Sequence, residues 1–369
     1  MRILALEPYY GGSHRAFLDG WIADSRHSWT LLTLPPFKWK WRMRHSAWTL
    51  AGQVKELVAE GGKWDGIFCS SLLDLATFSG LTLRQIGRLP TVVYFHENQL
   101  TYPVRREAER DLHFAFTHLS SSLAAQGVWF NSAFHRGEFL GALTALLRRM
   151  PDFSSLEIVD QIRDRSSIQN PGVAGFPSRG PRKPGPLRIL WAARWEFDKN
   201  PEGFFRALES LEDQQIPYRL NVLGESFREV PEVFASARKR FAHRIDRWGF
   251  LEKREQYQEA LLESDVFVST AHHEFFGIAA AEAMAAGCRP LLPNRLAYPE
   301  LLASLPERGR RPFLYSGEES DLAARLESLA ADPAQCLGEV ALLRREIEKS
   351  FSWAARCDQL DDAIENSLE

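Results

Sequence analysis

Short apolar runs alternate along the chain with longer segments in which apolar residues recur every three or four positions. Many of the short runs lack polar alternation, which is typical of parallel strands that helices cover on both faces. We predict strands at residues 2–7, 29–34, 65–70, 91–96 and 128–131 of the first half, and at 187–193, 218–223, 245–249, 265–270, 290–292 and 312–315 of the second. Helical segments separate these strands, which indicates parallel sheets built from βαβ units.

Residues 171–186 interrupt this alternation. They contain five prolines and four glycines in sixteen positions, a composition that excludes a helix or a central strand and predicts a linker. We therefore expect an α/β protein with two tandem doubly wound, Rossmann-like domains that face a cleft, where ligands bind at the carboxyl ends of the strands. The predicted domains are residues 1–178 and 179–350, and a helix in 351–369 can pack back on the first domain.

Length and composition narrow the class of protein. The chain has 369 residues, of which 45% are hydrophobic, and a single core rarely grows past roughly 250 to 300 residues. No segment approaches the ~20 consecutive apolar residues of a membrane span, and the first residues become polar too early for a signal peptide. The four cysteines are scattered without metal-ligand spacing. We expect a cytoplasmic protein with reduced thiols and no membrane association.

Charge is distributed unevenly. Residues 1–178 carry 19 Lys and Arg against 16 Asp and Glu, whereas the remainder carries 26 against 32. Residues 25–55 contain six Lys and Arg and no acidic residue, so a ligand of this segment is expected to be an anion. In this segment Lys and Arg side chains alternate with tryptophan rings, a pattern that suits the phosphates and unpaired bases of nucleic acid. The residues concerned are Lys38, Trp39, Lys40, Trp41, Arg42 and Arg44. A strand with tryptophans in the core and cations in water explains the same pattern equally well.

Two motifs of the second half place charged side chains in loops that follow predicted strands. Arg194 and Lys199 flank a loop after a predicted strand, where they can straddle a diphosphate. In HEFFGIAAAEAMAAG, Gly277 lets a ligand approach the amides of the next helix, while Glu274 and Glu282 suit sugar hydroxyls. Either motif alone is more typical of surface charges, but both follow strands of the same domain.

Two loops of the first half also carry polar groups to strand ends. In EPYYGGSH, Gly11 and Gly12 permit a tight turn, and we predict that Ser13 caps a helix beginning near His14. The sequence FHENQLTYPV provides several donors and acceptors for a polyhydroxylated ligand.

These motifs resemble known families. In the second half, Arg194-x4-Lys199-Asn200-Pro201, Glu274-Phe275-Phe276-Gly277 and Glu282-Ala283-Met284 resemble the retaining GT-B glycosyltransferases of family 4. In the first half, EPYYGGSH, PPFKWKWRMR and FHENQLTYPV occur together and resemble the tRNA-queuosine α-mannosyltransferase family.

The resemblance implies roles for individual residues. Arg194 and Lys199 bind the donor diphosphate, Glu274 contacts the sugar, Glu282 binds the ribose, and His96 lies near the donor sugar. The implied catalytic residues are Arg194, Lys199, Glu274 and His96. The implied donor site also includes Gly11, Gly12, Phe275, Phe276, Gly277, Ile278 and Glu282. The candidate acceptor or tRNA contacts are His14, Lys38, Trp39, Lys40, Trp41, Arg42, Arg44, Glu97, Asn98 and Gln99.

The resemblance also implies a reaction, the transfer of mannose from GDP-mannose to the cyclopentenediol of queuosine in a tRNA anticodon loop. The sequence contains no Asp-x-Asp, and Arg194 and Lys199 can neutralise a diphosphate, so we expect neither a catalytic metal nor a cofactor. Two alternatives remain at this point. One is a family 4 transferase with another donor, or with a glycan or small-molecule acceptor. The other is a non-catalytic scaffold that binds tRNA.

Overall fold

The chain separates into two compact units. The computed structural model describes residues 1–106, 110–226, 229–338 and 340–369. Unit 1 comprises Met1–Gly172 together with Trp353–Glu369, and unit 2 comprises Val173–Ser352. The predicted boundary after residue 178 thus lies six residues beyond the end of the first segment of unit 1. The chain changes units earlier because Val173 already pairs with Ser352 in a parallel bridge of unit 2.

Unit 1 contains a parallel sheet of six strands in the order β2-β1-β3-β4-β5-β6. The strands are β1 Arg2–Glu7, β2 Ser28–Thr33, β3 Gly66–Ser70, β4 Thr91–Phe95, β5 Gly127–Phe130 and β6 Ser166–Ile168. Its helices are α1 Gly12–Asp24, α2 Trp39–Ala59, α3 Leu75–Ile86, α4 Leu112–Ala124, α5 Ala133–Leu147, α6 Glu157–Asp164 and α15 Trp353–Leu368. Every strand pair among the described residues is parallel.

Side chains that alternate along the strands enter two cores, one on each face of the unit 1 sheet. Ile3, Phe68 and Trp129 pack with residues of α1 and α15. Their strand neighbours, such as Leu4 and Cys69, pack with residues of α2 to α6 on the other face. The last helix therefore completes one face of unit 1.

Unit 2 contains a second parallel sheet, in the order β9-β8-β7-β10-β11-β12. The strands are β7 Leu187–Ala192, β8 Tyr218–Leu223, β9 Ile245–Gly249, β10 Val266–Val268, β11 Arg289–Pro293 and β12 Leu314–Tyr315. The helices are α7 Pro201–Asp213, α8 Val233–Arg240, α9 Arg254–Glu263, α10 Ile278–Ala285, α11 Tyr298–Leu301, α12 Glu307–Arg310, α13 Glu319–Ala331 and α14 Val340–Phe351. The order reverses between β7 and β10, the position where doubly wound sheets bind ligands.

The predicted α/β architecture is confirmed, and each predicted strand is present with ends shifted by at most two residues. One local prediction was wrong, because Ser13 lies inside α1, whose N-cap is Gly11. The segment that begins at Trp39 is a helix, which rules out the strand that was one of its two possible explanations. Within the described part of the chain, no helix is both long and apolar enough to cross a membrane.

Candidate active site

The reversal of strand order in unit 2 brings two loops to the same edge of the sheet. The loop after β7 carries Arg194 and Lys199, and the loop after β10 carries Glu274 and Gly277. A small cavity in this region is lined by Ala193, Lys199, Ser269, Glu274, Gly277 and Tyr298, among other residues. The two motifs that the sequence singled out separately therefore form one site.

Lys199 is fixed in position by oxygen atoms on several sides. It ends a one-turn 3₁₀ helix, Phe197–Lys199, and its side chain is only 8% exposed. The ammonium donates to the His273 carbonyl at 2.7 Å, and it lies 3.2 Å from Asp198 Oδ2 and 3.4 Å from Glu274 Oε2. A buried amino group held in this way has a defined direction.

The electrostatics of the pocket keep Glu274 ionised. Burial raises the pKa of this carboxyl, but the charge of Lys199 outweighs it, with contributions from His273 and Arg194, and the pKa falls below its ordinary value. Burial and Lys199 lower the pKa of His273 to about 4, so this imidazole is neutral near pH 7. The pocket thus presents one carboxylate, one ammonium and one neutral ring.

The helix α10 begins at this pocket without a side-chain cap. Gly277 is its N-cap with φ +94°, a conformation that favours glycine, and no side chain of the described residues caps it. A Cβ at this position would also lie 3.0 Å from Tyr298 Cε1. The first-turn amides of α10 are therefore suited to an anion.

Glu282 lies on α10 and contacts a different helix. Its Oε2 accepts a hydrogen bond from the Tyr257 hydroxyl of α9 at 3.2 Å, and burial raises the pKa of the carboxyl. Tyr257 had no role in the sequence analysis, because nothing in its local sequence indicates this contact.

The remaining predicted donor residues differ in exposure. The Arg194 side chain is 42% exposed and lies 3.4 Å from Glu196. Phe275 and Phe276 are buried, and Phe276 packs against Phe351. Their side chains stabilise the loop, so any contact that they make with a ligand involves the backbone. Ile278 is half-buried at the start of α10.

In unit 1, a buried imidazole lies between two carboxylates. His14, in the first turn of α1, has Nδ1 3.2 Å from Glu7 Oε2 and Nε2 3.2 Å from Glu97 Oε2. Burial opposes protonation, but Glu7 and then Glu97 raise the pKa of His14 to about 10. His14 is therefore an imidazolium at neutral pH. Because it is 4% exposed, it supports the site from within rather than offering a surface contact.

His96 stacks directly on this imidazolium. The ring centroids are 3.9 Å apart with an interplanar angle of 28°. Burial and the charge of His14 lower the pKa of His96 well below its ordinary value. Its buried Nε2 has no hydrogen-bond partner among the described residues, so it is available to a ligand hydroxyl.

Glu7, which the sequence analysis did not select, is a fixed part of this cluster. It ends β1, is fully buried, and accepts hydrogen bonds at Oε1 from the Tyr9 amide at 2.8 Å and the Ser70 hydroxyl at 3.0 Å. Potential ligand atoms of Glu7, His14 and His96 lie within 4.8 Å of one another, the spacing of a metal site. However, stacked rings hold their nitrogen lone pairs in nearly parallel planes, which makes convergence on one ion difficult, and His14 must lose a strongly held proton to bind a metal. This geometry favours a proton over a metal ion.

Some residues of the glycine turn and of the FHENQ loop make contacts within unit 1 that the sequence did not indicate. Gly11 is approached by Pro36, so the turn packs against the loop before α2, and Gly12 has φ +51°. Asn98 is buried, and its Oδ1 accepts from the Leu100 and Thr101 amides at 3.0 and 2.9 Å. Asn98 therefore stabilises a turn and is not placed for a surface contact. Gln99 is half-buried.

The basic aromatic segment forms the start of α2, and its residues divide into two groups. Trp39 packs on Phe114, and Arg44 lies over the same ring and 3.5 Å from Asp111. Arg42 donates to the Pro35 carbonyl at 2.9 Å. The exposed members are Lys38, Lys40, Trp41 and Arg44.

Comparison with known proteins identifies the class of enzyme. A family model described as glycosyl transferases group 1 matches residues 177–342. Sucrose-phosphate synthase from Thermosynechococcus elongatus has the same fold over 99% of both chains, with a TM-score of 0.73 and 17% identity. Anabaena HepE, solved in complex with UDP, matches 99% of this chain and 100% of its own, with a TM-score of 0.68 and 16% identity. The protein is a nucleotide-sugar-dependent glycosyltransferase with the GT-B fold.

The first half identifies the family. A model described as tRNA-queuosine alpha-mannosyltransferase N-terminal matches residues 2–173. The tRNA-queuosine alpha-mannosyltransferase of Drosophila melanogaster is 37% identical over 311 residues, 81% of each chain. A GDP-mannose:cellobiosyl-diphosphopolyprenol alpha-mannosyltransferase of Xanthomonas campestris is 26% identical over 190 residues, 49% of this chain and 48% of that protein. The chain belongs to the tRNA-queuosine alpha-mannosyltransferase family, which confirms the resemblance seen in its motifs.

Proposed function

We propose that this protein transfers mannose from GDP-mannose to queuosine in tRNA, in the cytoplasm. The observation that carries the proposal is the 37% identity to an enzyme of that name along 81% of both chains. The Xanthomonas relative, whose name specifies GDP-mannose, supports the choice of donor. The pocket of unit 2, with its buried ammonium and carboxylate, supports a catalytic protein over a scaffold that only binds tRNA.

Unit 2 binds the donor in this proposal. Arg194, Lys199 and the first-turn amides of α10 neutralise the diphosphate, since all three offer hydrogen-bond donors to phosphate oxygens. Ionised Glu274 accepts hydrogen bonds from the sugar hydroxyls, and Glu282 accepts from the ribose. Gly11, Gly12 and His96, to which the motif resemblance also gives a donor role, belong to unit 1.

The reaction retains the α configuration through attack on the face from which the diphosphate departs. The bond from the anomeric carbon to the phosphate oxygen breaks, and the bond to the acceptor oxygen forms on the same side. The acceptor proton passes to the leaving phosphate oxygen, so no protein base is needed. Lys199 and Arg194 stabilise the negative charge that grows on the diphosphate, an electrostatic effect that commonly supplies a large part of the acceleration.

Unit 1 binds the acceptor. Glu97 accepts a hydrogen bond from His14 at 3.2 Å, which fixes the direction of its carboxyl group, and it is 26% exposed. A fixed carboxylate suits a diol, and Glu97 with Gln99 contacts the cyclopentenediol. Lys38, Lys40 and Arg44 contact tRNA phosphates.

The reaction needs no metal and no cofactor. The cations around the diphosphate site come from the protein, and the Glu7, His14 and His96 cluster favours a proton. Incubation with EDTA is expected to leave the transfer rate within about twofold of the untreated rate. A loss that Mg²⁺ or Zn²⁺ restores would contradict this part of the proposal.

The test is an incubation of the protein with GDP-mannose and queuosine-containing tRNA, followed by nuclease digestion and mass spectrometry. The expected product is a hexosylated queuosine, absent with queuosine-free tRNA and absent with Glu274→Ala. If transfer occurred only with another nucleotide sugar, tRNA would remain the acceptor and that nucleotide sugar would replace GDP-mannose as the donor. Transfer to a glycan or small molecule, and none to tRNA, would overturn the assignment of tRNA as the acceptor. Tight tRNA binding without transfer from any donor would make the protein a scaffold.

A further inference from the structure

Two tryptophans on α2 remain exposed although large aromatic side chains favour burial. Trp41 is 57% exposed and Trp48 is 52% exposed. They are seven residues apart, so they lie on the same side of the helix, with His45 between them. We call Trp41, His45 and Trp48 the aromatic face of α2. Trp48 was not among the candidate contacts, since the charge alternation that drew attention to this segment ends before it.

The rings of this face are in mutual contact. The Trp41 ring lies 4.9 Å from the His45 ring and 6.2 Å from the Trp48 ring, and the two indoles meet edge to face at 72°. His45 is fixed from both sides, because its Nδ1 is 2.9 Å from the Thr49 hydroxyl and Arg42 donates to its Nε2 at 2.7 Å. The face is thus a supported surface and not a pair of loose side chains.

The N-terminus of α2 carries positive charge, which the helix dipole disfavours. The first turn of α2 contains Lys40 and Arg42 and no acidic residue, although a helix N-terminus favours negative charge. Residues 25–55 lack Asp and Glu, and so does α3, which packs against α2 and carries exposed Arg84. Cations that oppose the helix dipole beside exposed rings point to an anionic aromatic partner.

We propose that Trp41 and Trp48 stack on two unpaired bases of an RNA loop, while Lys38 and Lys40 contact the adjoining phosphates. The perpendicular indoles cannot continue one base stack, so they fit bases that are splayed apart, as in loops, rather than a duplex. A protein partner with an apolar surface would leave the cations without counter-charges. The inference rests on the proposed function in one respect: the proposed function identifies the RNA loop as a loop of the acceptor tRNA.

The test compares tRNA binding and transfer kinetics of Trp41→Ala, Trp48→Ala and the double variant. Stacking on one base corresponds to a loss of about ten- to a hundredfold on alanine substitution, and we expect the KM for tRNA to rise by that factor in each single variant. Trp41→Phe and Trp48→Phe retain a ring and are expected to recover most of the affinity. Phe153→Ala, at a 90% exposed aromatic elsewhere in unit 1, is the control and is expected to match the wild-type protein.

The outcomes separate this inference from the proposed function. If the wild-type protein transfers no sugar but binds a tRNA anticodon stem-loop in filter assays, and the Ala variants lose that binding, then the aromatic face is supported and the reaction is not. If the double variant binds and modifies tRNA like Phe153→Ala, the inference is overturned. It is equally overturned if wild-type protein sediments as a dimer and the double variant as a monomer with unchanged tRNA affinity, because the face would then be a self-association surface.

Discussion

At the scale of single residues, the proposed donor chemistry depends most directly on Lys199. Its ammonium is held 2.7 Å from the His273 carbonyl and 3.4 Å from Glu274. Lys199→Met removes a charge that stabilises the departing diphosphate, and we expect kcat to fall by about a hundred- to a thousandfold. Steady-state kinetics with GDP-mannose and saturating tRNA measure this loss.

Lys183→Met is the matched control for this substitution. Lys183 is also in unit 2 and also pairs with a glutamate, Glu263 at 2.7 Å, but it is 72% exposed. We expect its kcat to equal that of wild-type protein. Thermal melts of both variants separate a catalytic loss from unfolding, and a folded Lys199→Met variant with full activity would contradict the assignment.

His14 provides a prediction about pH. Its pKa is raised to about 10 in the folded protein by Glu7 and Glu97 against the effect of burial, while an unfolded histidine titrates near 6.5. The folded state therefore binds the extra proton, and this contribution to the free energy of unfolding is complete below about pH 6.5 and is lost as pH rises toward 10. We expect the melting temperature of wild-type protein to fall more steeply between pH 7 and pH 9.5 than that of His14→Gln.

A second variant tests whether this steepness belongs to His14. His243 is 57% exposed and also lies near a glutamate, Glu212 at 3.1 Å. His243→Gln is expected to keep the wild-type pH dependence of the melting temperature. Parallel curves for wild-type protein and His14→Gln would show that the buried imidazole is not protonated.

The sequence predicted those site residues whose neighbours along the chain also take part in the site. Lys199 and Gly277 lie in continuous motifs beside the ends of β7 and β10. Tyr257 could not be found in this way, since its partner Glu282 is on another helix and reaches it through the fold. Glu7 lies in the same motif as His14, but the motif does not show that the two side chains meet. His14 itself was named as an acceptor or tRNA contact, because a sequence does not show that two carboxylates enclose its ring.

At the scale of elements, most strands were predictable because they are mainly apolar and bounded by turns, whereas the short β6, with two serines in three residues, was not predicted. The start of α2 was not, because Trp39 to Arg42 alternate as strand residues do. The helix forms because the apolar positions that follow have helical spacing. The buried apolar residues are Met43, Ala47, Leu50, Ala51 and Val54. The tertiary contacts of that stripe outweigh the local alternation.

One buried carboxylate of α15 accepts hydrogen bonds from three residues of α1 and the segment that follows it. Asp361 accepts from the Trp21 indole at 2.7 Å, the Ser25 hydroxyl at 2.7 Å and the Arg26 amide at 2.8 Å. Asp361→Ala leaves these donors without their acceptor, and we expect a loss of about 3 kcal/mol in the free energy of unfolding of unit 1. Urea unfolding followed by tryptophan fluorescence measures it. Asp358→Ala, at an exposed position of the same helix, is expected to change stability by less than about 0.5 kcal/mol.

At the scale of the whole molecule, the two units differ in how the chain builds them. Unit 2 is one continuous segment, Val173–Ser352, with apolar cores on both faces of its sheet. Unit 1 is interrupted, because α15 arrives from the far end of the chain and covers Ile3, Phe68 and Trp129. The last seventeen residues are thus part of the first folding unit and not an appendage of the second.

This difference predicts opposite behaviour for two fragments. Residues 173–352 are expected to fold cooperatively alone and to bind GDP, whereas residues 1–172 lack α15, leave part of one sheet face uncovered beside α1, and are expected to aggregate. Joining Gly172 to Trp353 through a short Gly-Ser linker restores the missing helix, and the join is short because Trp353 packs against Gly172 and Gly20. Circular dichroism melts and gel filtration compare the three proteins. A soluble, cooperatively melting 1–172 fragment would contradict the assignment of α15 to the core of unit 1, since the part of the sheet that α15 covers would otherwise expose apolar residues to water.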